Sequence, residues 1–388
     1  MKPGFLLCAA ALIFSSAAPA ATLKAALMVP ADDARLTRSR LERAFLGHPG
    51  GPALEGLQMA IADGKLELDG NNTGVSITTF EVSDPASARA SAIRAEKEGA
   101  SVLLTDLPAA WTLAVADATP KLPVINVSEP SDALRQADCR KQLFHTQPSE
   151  RMRFDALAQT LVARKWLNVL LLTGPTAQDS VRGAAALAAM QRFGLKLVAS
   201  KPFKLSADPR ERDLANPALL TSNTQGNYDA VWVVDSDGEF AAGLPYRTAL
   251  PRPVVGDGGL VALAWHDKFD RYGAPQVSRR LQRAAKPHPR PMTAQDWASW
   301  MAGKALVAAA MAAPQQTAMQ ALATMALDGS KGQAMSFRAW DGQLRQPLLM
   351  SDGQSVISTA PVDGMLHPKN TLDTLGADGP EKLCKLRP

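Results

Sequence analysis

Residues 149–174 read SERMRFDALAQTLVARKWLNVLLLTG, a helical pattern that runs directly into a short apolar run. In the first part the apolar residues recur at the spacing of one helix face, whereas NVLLLTG is short and apolar, as a buried strand is. A helix that feeds a buried strand is the repeating unit of a parallel sheet covered by helices. This stretch therefore predicts an α/β fold.

The same alternation lies on both sides of this stretch. Strand-like runs alternate with helical patterns at TLKAALMV, VSITTFEV, ASVLLTD and PVINVS before it, and at KLVASKPFKL, DAVWVVDS and RPVVGD after it. Residues 140–148 interrupt the rhythm between the two halves, and 388 residues suit two or three domains. We predict two doubly wound α/β lobes. Their ligand should lie in an inter-lobe cleft, because such sheets bind ligands at the carboxyl ends of their strands.

The last third of the chain predicts helices followed by hairpins. Asp341-Gly342 and Asp352-Gly353 are strong turn signals. The first of them lies in SFRAWDGQLRQPL, residues 336–348, where one tryptophan and two arginines crowd around the bend. Arginine binds carboxylates in a bidentate fork and stacks on aromatic faces. Indole and guanidinium groups together would therefore suit a flat aromatic ligand that carries negative charge.

The first 21 residues predict a secretory signal peptide. MKPG gives a cationic start, FLLCAAALIF is too short to span a bilayer, and SSAAPAA offers small residues for cleavage after Ala20 or Ala21. A lipoprotein anchor would need a cysteine at the cleavage point, but Cys8 lies inside the apolar stretch. We expect a mature protein in the periplasm that is not embedded in the membrane.

Two cysteines remain after the signal is removed, Cys139 and Cys384. In an oxidising compartment two such thiols tend to pair, although two buried free thiols are the alternative. A bridge between them would close a loop of 245 residues (384 minus 139). The chain-entropy account gives such a loop roughly 5 kcal/mol of stabilisation at most.

The composition excludes several classes of function. The net charge of +5 is modest, and Lys and Arg are scattered among acids, so we expect no nucleic-acid partner. None of the five histidines has a His or Cys partner at metal-ligand spacing, which predicts no metal site. Neither a nucleophile elbow nor a Walker loop occurs. We therefore expect a binding protein without a catalytic cofactor, and not an enzyme.

The candidate binding residues follow from strand ends, aromatic residues and arginines in loops. Each one has an ordinary alternative role as a turn residue, a core side chain or a surface charge. The strand-end candidates are Thr105, Asp106, Ser128 and Asp235, the aromatic candidates are Trp111, Trp265 and Trp340, and the arginine candidates are Arg247, Arg252 and Arg345.

Four stretches carry a resemblance to a known family: CRKQLFHTQPSERMRFDALAQTLVARKW, LPYRTALPRPVVGDGGLVALAWH, FRAWDGQLRQPLL and LDTLG. They resemble the type I periplasmic substrate-binding proteins of the leucine/isoleucine/valine-binding class of ABC uptake systems. The most similar branch is associated with alcohol oxidation that depends on pyrroloquinoline quinone (PQQ). WDGQLRQP is the most specific of these markers.

The resemblance implies a topology with a hinge of three crossovers. Lobe I would comprise residues 22–145 and 266–333, lobe II residues 146–265 and 334–361, and the tail residues 362–388. The tail would run back towards lobe I, which would bring Cys384 to Cys139.

The resemblance also implies PQQ, a planar tricarboxylate, as the ligand. Arg247, Arg252 and Arg345 would then pair with its carboxylates. Trp265 and Trp340 would stack on its rings, and hydroxyl groups of the first lobe would donate hydrogen bonds. Closure of the hinge would trap the ligand for an ABC permease. The alternatives are a branched-chain amino acid or a substrate of alcohol catabolism, or an accessory or sensor module of a PQQ-dependent dehydrogenase.

Overall fold

The computed structural model describes residues 21–37, 49–206, 208, 210–222, 226–285, 289–379 and 384. The predicted signal peptide lies outside the described residues, apart from Ala21. Among the described residues, no helix is at once long and apolar enough to cross a membrane.

The first sheet is built from the amino-terminal part of the chain. Its elements are β1 (Ala21–Pro30), α1 (Ala34–Thr37), α2 (Ala53–Asp63), α3 (Lys65–Gly70), β2 (Thr73–Val82), α4 (Pro85–Lys97), β3 (Val102–Thr105), α5 (Ala109–Ala118), β4 (Val124–Asn126) and β5 (Leu143–His145). In this described part five strands pair in parallel in the order β2-β1-β3-β4-β5. Helix α4 begins with Asp84 and Ser87 in a reciprocal capping box and with Pro85 in the first turn.

The second lobe repeats this arrangement of strands and helices. Its elements are α6 (Glu150–Ala163), β6 (Asn168–Thr173), α7 (Ala177–Arg192), β7 (Lys196–Pro202), α8 (Pro217–Ser222), β8 (Ala230–Val234), α9 (Glu239–Gly243), β9 (Val254–Gly256) and β10 (Val261–Leu263). Four of the described strands pair in parallel in the order β7-β6-β8-β9. Leu170, Leu172, Val231 and Val233 are fully buried, as expected for a parallel strand covered on both faces.

The last third of the chain is divided between the two lobes. Its elements are α10 (Ala274–Ala284), α11 (Ala294–Ala312), α12 (Ala318–Thr324), β11 (Leu327–Asp328), β12 (Ala334–Met335), β13 (Leu348–Ser351) and β14 (Val356–Ala360). Helix α11 packs on α2 in the core of the first lobe. Strands β13 and β14 form an antiparallel sheet with β10 against α6 of the second lobe. The predicted two-lobed α/β fold is confirmed, whereas the lobe boundaries stay a prediction.

Buried polar side chains form hydrogen bonds that link three segments between the lobes. Gln343 Nε2 donates to the carbonyl oxygens of His145 (3.3 Å) and Gln147 (3.1 Å), and Gln346 Nε2 donates to that of Thr146 (2.8 Å). Lys331 Nζ donates to the carbonyl oxygens of Ala264 (2.7 Å) and Pro347 (2.8 Å). We call these segments, residues 145–147, 264–266 and 331–347, the hinge segments.

The sequence predicted hairpin strands over residues 336–348, but most of this stretch is irregular. Isolated bridges pair Phe337 with Leu344 and His145 with Gln343. The predicted turn is present, with Gly342 at a φ of 70°. Its backbone groups are divided between partners: Arg345 N donates to Ser336 O within the stretch, whereas Leu344 N donates to His145 O (2.8 Å) and Gly342 O accepts from His145 N (2.9 Å).

The two arginines of this stretch hold the C-terminal tail. Arg338 Nε and Arg345 Nε each donate to Asp373 Oδ1 at 2.8 Å. Arg338 Nη2 also donates to the carbonyl oxygens of Leu372 (2.9 Å) and Leu375 (2.6 Å). The crowding of guanidinium groups at this bend is therefore explained by an internal carboxylate that is almost fully buried.

The tail then returns to the first lobe. A disulfide joins Cys139, which lies between β4 and β5, to Cys384, with the two Cα atoms 5.5 Å apart. The predicted pairing is confirmed. The tail is thus bonded to the 331–347 hinge segment through Asp373, to α6 of the second lobe through Thr374, which Gln159 contacts, and to the first lobe through the disulfide.

We expect Asp373→Ala to lower the free energy of unfolding by about 3–5 kcal/mol, because it leaves a buried guanidinium without its main counter-ion. Urea denaturation followed by circular dichroism measures the change. The control is Asp378→Ala, whose carboxylate pairs with Arg192 but is half exposed and should cost at most about 1 kcal/mol. Equal losses in the two variants would contradict the role assigned to Asp373.

Candidate functional site

Acidic residues gather where the strands of the second lobe end. Gly256 ends β9 with a φ of 117°, and any side chain there would collide with the carbonyl group of Val233. This close approach brings Asp257 next to the end of β8, where its Oδ2 accepts a hydrogen bond from the backbone N–H of Asp235 (2.7 Å). Asp179, in the capping box of α7, accepts one from Ser236 N (2.7 Å).

Arg182 is the charged centre of this edge. Its guanidinium donates twice to Asp257, at 2.8 and 2.7 Å, and once to Glu150 Oε2 at 3.2 Å. It also lies over the ring of Phe154, with 5.7 Å to the centroid. Burial alone would raise the pKa of Glu150, but the charges of Arg182 and Arg153 hold it below its usual range.

Two cavities meet at Arg182. The first, the polar cavity, has a volume of about 530 Å³ and lies against the strand ends and the β13–β14 turn. It is lined by Asp235, Ser236, Tyr246, Asp257 and Gly258, among others. The second, the α7 cavity, has a volume of about 810 Å³ and lies between α7 and residues 129–137 of the first lobe. Glu150, Gln178 and Arg182 line both cavities, so the Arg182–Glu150 pair stands between them.

The first-lobe candidates lie at strand ends but are bonded to neighbours. Thr105 is fully buried, and its Oγ1 accepts a long hydrogen bond from Thr112 Oγ1 (3.4 Å). Asp106 Oδ1 lies 2.8 Å from the guanidinium of Arg35. Ser128 is half-buried and directly precedes the segment that lines the α7 cavity.

The second-lobe candidates lie at opposite ends of the strands: some follow the carboxyl ends, and one precedes an amino end. Asp235 lines the polar cavity, and its burial raises its pKa although backbone N–H groups oppose this. Arg247 is exposed and directly follows Tyr246, which lines the same cavity. Arg252 is exposed just before β9, at the amino end of the sheet. The length of the strands therefore separates Arg252 from the cavity.

The tryptophan candidates pack against protein groups. Trp265 is 1% exposed, stacks on Trp297 and donates from Nε1 to Ser278 Oγ (3.2 Å). Trp111 is half-buried against the apolar core beside α5. Trp340 lies beside two guanidinium groups, those of Arg345 (5.1 Å to its centroid) and Arg338 (5.8 Å). Neither of the two cavities is lined by Trp265, Trp340 or Arg345.

Sequence reasoning missed several residues that line the polar cavity, namely Glu150, Arg153, Arg182 and Tyr246. A signal for Arg182 is present: a strand ends at Thr173, and Thr176 and Asp179 form the capping box. The first two turns of such a helix lie at the strand ends, so an arginine there is a candidate. Within the described residues, no group of three His, Cys, Asp or Glu side chains is arranged to hold a metal ion.

Comparison with solved structures identifies the fold. A branched-chain amino acid ABC transporter periplasmic ligand-binding protein from Burkholderia xenovorans LB400 superimposes with a TM-score of 0.67 at 12% identity, over 87% of this chain and 95% of that one. A solute-binding protein from R. palustris in complex with benzoate gives 0.61 at 17%, over 86% and 95%. One from Rhodopseudomonas palustris BisB5 with 3,4-dihydroxybenzoic acid gives 0.62 at 14%, over 87% and 97%.

The fold is that of the type I periplasmic binding proteins. No protein-family profile and no curated protein matches the sequence. Because the identities lie between 12% and 17%, the likeness to these periplasmic binding proteins concerns the fold. The branch associated with PQQ and the ligand contacts of individual residues stay predictions.

We expect Arg182→Met to destabilise the protein by about 3–5 kcal/mol near neutral pH, because it leaves two carboxylates without their shared cation. Without Arg182, burial should raise the pKa of Glu150 above its unfolded value. Folding would then bind a proton, and part of the lost stability should return as the pH falls towards about 5. In the wild type, the pKa of Glu150 is lowered by folding, so its ionised form stabilises the folded state. This stabilisation is lost as the pH falls below the ordinary pKa of a glutamate and the group takes up a proton.

Denaturation at about pH 5 and pH 7.5 measures this difference. The control is Lys65→Met, which breaks an exposed pair with Asp69 and should change stability by less than about 0.5 kcal/mol at either pH. A loss in Arg182→Met that does not depend on pH would contradict the proposed electrostatics.

Proposed function

We propose that this chain is the periplasmic solute-binding component of an ABC-type uptake system and that its ligand is a small aromatic carboxylate. The ligand would occupy the polar cavity at the strand ends of the second lobe. The first lobe would then close over it. The protein would act by binding and delivery, without a chemical step on the ligand.

The observation that carries this proposal is an exposed ring together with an unpartnered guanidinium N–H in the polar cavity. Carboxylates also line this cavity, and two of them, Glu150 and Asp257, are already paired with Arg182. Tyr246 lines the cavity and is 90% exposed, so its ring offers a bare surface on which a flat molecule can stack. Arg153 lines the same cavity, and its buried Nε has no hydrogen-bond partner in the described structure. Buried N–H groups rarely lack a partner, and a carboxylate oxygen would supply one.

Arg247 directly follows Tyr246 in the chain and is exposed, but it does not itself line the polar cavity. A ligand carboxylate that extended out of the cavity and reached Arg247 would meet a further positive charge.

PQQ is our first candidate ligand. It is planar and carries three carboxylates, and the four stretches that resemble the PQQ-associated branch support it. A cavity of about 530 Å³ falls within the ordinary range of about 300–1,000 Å³ for small-molecule sites. Simple aromatic acids come next, since two proteins with this fold are described in complex with benzoate and 3,4-dihydroxybenzoic acid.

A branched-chain amino acid is the second candidate. The carboxylates of Asp235 and Asp257 line the polar cavity and could accept an α-ammonium group. The partner would be an ABC permease in either case. For PQQ a dehydrogenase that uses this cofactor is the alternative partner.

Ligand binding and closure would be coupled through the hinge. A ligand held on the second lobe would gain contacts with the first-lobe strand ends, near Thr105 and Ser128. It can shift the open–closed equilibrium only by the difference between its affinities for the two states. The hinge segments would absorb the change while they keep their hydrogen bonds.

Isothermal titration calorimetry with PQQ, 3,4-dihydroxybenzoate and leucine tests the proposal. Tyr246→Ala should weaken binding of the aromatic acids roughly threefold to tenfold, whereas Tyr246→Phe, which keeps the ring, should not. Arg153→Gln should weaken it more than tenfold, because a charge-assisted bond is lost. The matched control is Arg89→Gln, an exposed arginine on α4. If the protein binds leucine tightly and neither Tyr246→Ala nor Arg153→Gln changes the affinity for leucine, the result would favour an amino acid as the ligand.

A further inference from the structure

We propose that the α7 cavity is a second binding site, for a neutral and largely apolar molecule that carries one hydrogen-bond donor. This goes beyond the proposed function, which concerns the polar cavity on the other side of the Arg182–Glu150 pair. The α7 cavity follows its helix from Gln178 near the start to Arg192 at the end. At 1.5 Å per residue this is about 21 Å, so the cavity leads well away from the strand ends.

The walls of this cavity are mostly apolar. Val181, Ala185 and Ala188 line it from α7, and Val181 is 72% exposed. Pro130 and Ala133 line it from the first lobe. These groups gain free energy if an apolar molecule displaces water from them, at about 25 cal/mol for each Å² covered.

One polar atom at the far end lacks a partner. Asp155 lines the cavity, and its side chain is almost fully buried. Its Oδ2 accepts hydrogen bonds from Arg192 Nη1 (2.6 Å) and from the backbone N–H of Gly376 (2.7 Å). Its Oδ1 has no hydrogen-bond partner in the described structure. Because leaving a buried acceptor unpaired is costly, a ligand N–H or O–H that reached Oδ1 would be favoured.

The charges at this end favour a neutral ligand. Arg151 and Arg192 line the cavity beside Asp155 and would repel a cation. Asp132 and Asp155 would repel an anion. A neutral donor on an apolar body meets none of these penalties.

Indole and 1-methylindole form a matched pair of probes, because they differ in whether the ring N–H is present. We expect the mature protein to bind indole roughly ten times more tightly than 1-methylindole, which is the usual order of effect for a hydrogen bond to a charged group. Ligand-observed NMR titration measures both affinities. Equal affinities, or no detectable binding of indole up to its solubility limit, would overturn the proposal.

A blocking substitution locates the site. Ala185 lines the cavity, whereas Ala184 is an exposed neighbour on the same helix that does not line it. Ala185→Trp should abolish indole binding, and Ala184→Trp should leave it unchanged, with thermal unfolding used to confirm that both variants are folded. Equal effects in the two variants would show that indole binds elsewhere and would overturn the assignment. Since no aromatic carboxylate is used, failure here is distinguishable from failure of the proposed function.

Discussion

The structure depends on polar side chains that bond three hinge segments to one another in the interior between the lobes. Lys331 is the central example: it is 4% exposed, donates to two backbone carbonyl groups of different segments, and lies 3.6 Å from the centroid of the Trp297 ring. Burial lowers its pKa well below the ordinary value. Its Nζ also donates to Gln346 Oε1 (3.2 Å), so three hydrogen bonds offset the cost of burying this amino group.

These hydrogen bonds hold the three segments together where the chain passes between the two sheets. In the proposed function, the lobes would move about these segments. The tail adds a constraint of a different kind, since the disulfide joins it to the first lobe while Asp373 joins it to the hinge segment at Arg338. The closing motion that we propose would therefore have to accommodate the covalent link of the tail to the first lobe.

Local sequence signals predicted most of the fold. The buried strands and the Asp-Gly turns depend on residues that are neighbours in the chain. The site was harder to predict, because it depends on partners that are distant in sequence. Arg345 looked like a ligand for carboxylates and does bind one, but that carboxylate belongs to Asp373, 28 residues away. Trp265 lies in the loop after β10 and stacks on Trp297 of α11, which no local pattern indicates.

The central claim is that the two lobes close on a ligand at the strand ends of the second lobe. Pulsed electron paramagnetic resonance measures it directly, with spin labels at Arg89 on α4 and Leu187 on α7, both of which are exposed. Saturation with the tightest-binding aromatic carboxylate should shorten and narrow the distance distribution between the labels. A ligand that binds by calorimetry while this distribution stays unchanged would contradict the account.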